Sequence, residues 1–107
     1  MNNNNSEAIG ALVRIACDFD RQARQLKKHS FCHSQDYKAA VNALWSAQSL
    51  SAGQQQFLRD RAALSYQLAL CLAVEALRLE QRYTLCIEGI DRLNSSTTPA
   101  PASAGES

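Results

Sequence analysis

The stretch AALSYQLALCLAVEALRL, Ala62 to Leu79, is apolar almost all the way round a helix, and what covers it decides the fold. Its polar members are Ser65, Gln67, Glu75 and Arg78. At 3.6 residues per turn Gln67, Cys71, Glu75 and Arg78 fall on one stripe, which Asp60 and Arg82 extend at either end. An ordinary amphipathic helix needs one neighbour; one this apolar needs neighbours on two or three sides. A membrane-spanning helix needs about 20 apolar residues, and Glu75 and Arg78 interrupt this one. The stretch reads as the middle helix of a small soluble bundle, with no membrane insertion.

Working outward, the composition supports helix. The chain of 107 residues is rich in Ala and Leu, and its only prolines, Pro99 and Pro101, lie in the tail. Nothing before residue 99 carries the ring that would break a helix. A chain of this size forms one domain with a modest core, to which a partner subunit could add stability. The net charge of +1 and pI of about 7.7 argue against a general polyanion binder. The polar start, MNNNNSE, lacks the basic and apolar regions of a secretory signal. Cys17, Cys32, Cys71 and Cys86 are therefore expected to be reduced and mostly buried in a cytoplasmic protein.

Along the chain, Ser6 can cap a first helix and Glu7 suits its positive end. Ile9, Leu12, Ala16, Phe19, Ala23 and Leu26 then alternate in steps of three and four, as on a helix that packs against a partner. The polar segment Lys28–Ser34 reads as a turn. A second helix is expected over about 35–50, ending at Ser49–Gly53, a third from Gln54 to about Glu80, and a fourth over about 82–93. Residues 1–5 and the Ser/Thr/Pro/Ala tail, 95–107, are expected to be disordered, leaving 6–94 as one helical domain. The expected fold is all-α: about four helices packed as two antiparallel helical hairpins.

Asp36–Leu50 can be laid over Arg82–Ser96 at an offset of 46 residues. Tyr37 then meets Tyr83, Ala40 meets Cys86, Val41 meets Ile87, Leu44 meets Ile90 and Ala47 meets Leu93. The pattern resembles the second helix of a tetratricopeptide repeat. The preceding helix of the second unit supplies the family's apolar positions at Leu70, Ala73 and Leu77, with Val74 where the family prefers glycine. In the first unit Arg24, Lys27, Lys28 and Phe31 depart from the pattern. The offset exceeds the family's usual 34 residues, and neither unit ends in the expected proline. A three-helix domain of the microtubule-interacting-and-trafficking type looks similar at this level, and two plain helical hairpins generate the same spacings.

Candidate chemistry is sparse. His29, Cys32 and His33 could ligate a metal, but zinc takes four ligands, usually as two spaced pairs, and no second pair is present. No phosphate loop, hydrolase elbow or catalytic carboxylate pair occurs, so neither enzyme nor cofactor is expected. Arg21, Arg24, Lys27 and Lys28 form the one basic concentration, which could meet phosphates in a small nucleic-acid-binding regulator; cations near a helix C-terminus are the plainer explanation. The expectation is a cytoplasmic interaction module taking a partner helix or peptide in a groove, with a homo-oligomer also admitted. The resemblance implies an adaptor or a small secretion-type chaperone. It also places Gln67, Cys71, Glu75 and Arg78 on the groove-lining face of a first helix.

Overall fold

The computed structural model describes residues 2–46 and 49–97. It is all-helical, with α1 spanning Asn2–Ser46 and α2 spanning Ala52–Thr97. Between them the described residues are Ser49, Leu50 and Ser51. Ala47, expected in the repeat, and the expected disordered tail from residue 98 onward lie outside the described residues.

Two helices, not four, overturn the arrangement in two hairpins, and with it the tetratricopeptide-like reading. The expected turn at Lys28–Ser34 and the expected break near Gln81 are both helical. The physical reason is that polarity alone does not stop a helix. No proline or glycine occurs between Gly10 and Gly53, or between Gly53 and Gly89, so nothing covalent breaks either run. Nor does α1 wait for Ser6; it starts at Asn2.

A heptad seam instead runs straight through the expected turn. In α1 the steps of three and four continue from Leu26 to Ser30, His33, Tyr37, Ala40 and Leu44, and each of these residues is buried or half-buried. The Ser30 hydroxyl donates to the Ala69 carbonyl at 2.7 Å, so this polar residue bonds across the seam instead of turning the chain. In α2 the matching positions include Leu58, Ala62, Ser65, Ala69, Leu72 and Ala76, none of them exposed. This is the repeat that lets one helix pack along another.

Among the described residues the helices are separated once, and SAGQ starts α2. Ser51 Oγ accepts from the Gln54 amide at 3.1 Å, while Gln54 Oε1 accepts from the Ser51 amide at 2.9 Å. That reciprocal pair is a capping box, which satisfies two backbone donors at the start of α2. The Gln55 amide reaches the Ser51 carbonyl at 2.9 Å, closing the first helical turn.

The contacts divide the chain into two compact units. The second, Ala23–Leu77, is an antiparallel hairpin of the later part of α1 and the earlier part of α2. Besides the Ser30–Ala69 bond, the Tyr37 and Tyr66 rings meet at a centroid distance of 5.4 Å. Ala23 and Ala76 are each only 1% exposed; small side chains at buried seam positions let helix backbones approach closely. The first unit joins residues up to Gln22 with Arg78 onward. There Leu12 Cδ1 lies 3.3 Å from where a Cβ on Gly89 would stand. Asn5 Nδ2 donates to Ser96 Oγ at 3.4 Å.

Burial is shallow. The buried apolar residues are Ala16, Ala23, Ala40, Ala62, Ala76, Leu79 and Cys86, and no large side chain among the described residues is fully enclosed.

Candidate partner-binding surface

With a single neighbouring helix, the apolar central stretch of α2 remains largely uncovered. Leu64, Tyr66, Leu68, Leu70, Val74 and Leu77 are all exposed. One subset is ordered: Ala63, Tyr66, Leu70, Ala73 and Leu77 repeat the steps of three and four, beside the seam and parallel to it, and all five are exposed. This is a second heptad stripe, in which every residue is apolar or, as in Tyr66, amphipathic.

The stripe borders two adjoining grooves between α1 and α2, both within the second unit. One, of about 290 Å³, is lined by Ser30, Ser34, Tyr37, Lys38, Tyr66, Ala69 and Leu70. The next, of about 330 Å³, is lined by Lys27, Ser30, Phe31, Ser34 and Ala73. The lining is rich in small residues: Ser30 and Ala69 of the seam, with Ser34 and Ala73 beside them. Phe31, 63% exposed, stands at the edge. Such a trough accepts the large side chains of another helix. Towards the connection, Trp45 is 85% exposed beside Leu44, Gln55 and Arg59.

Of the stripe expected from sequence, Gln67 and Cys71 are exposed and Glu75 is half-buried, all in the second unit; Arg78 is exposed in the first. Neither Glu75 nor Arg78 is free of interactions. The groove that was to make these residues an inner face needed a second hairpin, which the chain does not form. The ordered apolar stripe was missed, although its signal was present: the spacing of Ala63, Tyr66, Leu70, Ala73 and Leu77 is itself a heptad.

The cysteines also differ from expectation. Cys17, Cys32 and Cys71 are exposed thiols and only Cys86 is buried, because the first three fall outside the seam. Among the described residues no group of three or more His, Cys, Asp and Glu side chains converges as a metal site would require. His29 and Cys32 are exposed and His33 lies in the seam. The basic residues are spread over two units: Arg21, in the first, pairs with Asp18 at 2.8 Å, while Arg24, Lys27 and Lys28 are exposed in the second. No buried side-chain polar atom among the described residues lacks a partner.

α2 is long and apolar enough to cross a membrane by length and composition, with an 18-residue window of mean hydropathy 1.4, of which 22% is buried. Comparison with protein-family models, curated proteins and solved structures finds no match.

Proposed function

We propose that this chain is a non-enzymatic interaction module, an adaptor or chaperone of cytoplasmic type, that takes a partner helix on the apolar stripe of α2. The observation that carries the reading is the second heptad stripe, left uncovered beside a trough rich in small residues. Contiguous exposed apolar surface of this kind marks interaction sites. Leu70 and Leu77 are about half exposed, so covering each would contribute about 1 kcal/mol. The mode is a helix laid into a groove, anchored at spacings of three and four.

A bilayer is the second reading, favoured by the hydropathy of α2 and its low burial. The neighbouring helix weighs against it. Within the same unit α1 carries Arg24, Lys27, Lys28, Asp36 and Lys38, and each charge taken to mid-bilayer costs roughly 2.5–3.5 kcal/mol. Nucleic-acid binding has only the basic residues in its support, of which Arg21 is already paired with Asp18.

The test is affinity purification from the source cells, with the wild type and Leu70→Glu handled in parallel. A stoichiometric protein recovered with the wild type and lost with the variant supports the reading. Identical recoveries from both would count against it.

A further inference from the structure

Resting on that reading, we propose that the helix laid on this stripe is α2 of a second copy of the chain, packed antiparallel about a two-fold axis midway between Leu70 and Ala73.

A surface that pairs with its own copy must be complementary to itself under the two-fold rotation. Reversing α2 about the point between residues 71 and 72 maps its spacing of three and four onto itself. Leu70 then stands opposite Ala73 of the second copy, and Tyr66 opposite Leu77. The two central layers each set a large side chain against a small one, and the outer two set a ring against a leucine. Spacing alone would accept any heptad helix; the order of Leu70 and Ala73 lets a copy of the chain set large against small at the centre. The hairpin's own seam is also built from small residues, with Ala23 and Ala76 at 1% exposure. No charge falls within Tyr66–Leu70–Ala73–Leu77, so no like charges meet when the stripe faces itself. All four residues are exposed, and the trough lining at Ala69 and Ser30 lies beside them.

The pairing also accounts for the shallow core. No large side chain is fully enclosed in one copy, and a second α2 would enclose those of the stripe. A bilayer would cover the same residues, but with no preference for the order of large and small along the stripe.

The experiment is sedimentation equilibrium of the full chain and a short set of variants, with circular dichroism to confirm that each remains helical. The wild type should sediment at twice its 11.8 kDa chain mass at tens of micromolar. Leu70→Glu and Leu77→Glu should sediment as helical monomers, while Leu64→Glu, equally exposed but off the stripe, should remain dimeric. The register is tested by a swap. Leu70→Ala alone should weaken dimerisation by about tenfold or more, and Leu70→Ala combined with Ala73→Leu should recover most of it, because each central layer again holds one leucine and one alanine. A monomeric wild type overturns the second copy, as does a dimer indifferent to Leu70→Glu or a swap no better than the single variant. A monomer that still recovers a different protein through Leu70 overturns only the second copy and leaves the docking reading standing. A monomer with no Leu70-dependent partner overturns both.

Discussion

Single residues set how closely the two helices approach, and the glycines test this directly. Glycine inside a helix costs about 1 kcal/mol relative to alanine, through backbone entropy. At Gly10 an added Cβ would meet only the Arg14 guanidinium, at 3.8 Å, which is ordinary contact. Gly10→Ala should therefore raise stability by about 0.5–1 kcal/mol in chemical denaturation. At Gly89 the new Cβ would stand 3.3 Å from Leu12 Cδ1, so the leucine must shift and part of the propensity gain is lost. Gly89→Ala should gain less than Gly10→Ala, and equal gains would show that helix spacing does not depend on that glycine. Ser51 is a different case, a residue that acts through backbone donors. Its hydroxyl and the Gln54 side chain satisfy each other's amides, so Ser51→Ala should cost about 1 kcal/mol, read as a lower denaturation midpoint with an unchanged slope. No loss on removing the hydroxyl would mean that water caps α2 equally well.

At the scale of the elements, helix type was legible and helix number was not. Ile9 to Leu26 announced a heptad, and Ser49–Gly53 announced the break between α1 and α2, where SAGQ caps α2. Lys28–Ser34 misled because its polar residues include members of the seam. Ser30 sits at a heptad position with its hydroxyl on the Ala69 carbonyl, and His33 holds the next seam position, half-buried. A sequence window sees serine and histidine as breaks in an apolar pattern; it cannot see the carbonyl on another helix that accepts the hydroxyl. The apparent repeat has a similar origin: half-buried Tyr37 and exposed Tyr83 both lie inside continuous helices, where spacings of three and four recur without a hairpin. The apolar character of Ala62–Leu79 is plain in the sequence, but the bundle expected to cover it is not formed: α2 has one neighbouring helix, and the stripe at Tyr66, Leu70 and Leu77 stays exposed. Continuity of α1 gives a sharp expectation. Lys28 is exposed and helical, so Lys28→Pro removes a helix bond and sets its ring against the preceding turn, at about 3 kcal/mol or more. A turn at that place would tolerate the proline. Thermal melting separates the two, and an unchanged midpoint would restore the break in α1.

For the whole molecule the open question is what covers α2, and water, lipid and protein leave different marks. The hydropathy window of α2, at 1.4 with 22% buried, would attract a bilayer if α2 stood alone. It does not stand alone: the Ser30–Ala69 bond and the Tyr37–Tyr66 contact tie its central stretch to α1, whose exposed Arg24, Lys27, Lys28 and Lys38 would have to follow it into lipid. Immersing α2 therefore means either bringing these cations along, at several kcal/mol in total, or giving up the seam. Surface adsorption is a milder alternative, in which those cations meet anionic headgroups at about 1 kcal/mol each, but salt screens that attraction over about a Debye length. Flotation with neutral phosphatidylcholine vesicles should leave the protein at the bottom of the gradient. Flotation with phosphatidylserine vesicles should recover little at physiological salt, and any fraction that rises at low salt should fall again when salt is added. Stable flotation with neutral vesicles, retained at high salt and lost in Leu70→Glu, would mean that the stripe meets acyl chains, and would replace the protein partner with a membrane.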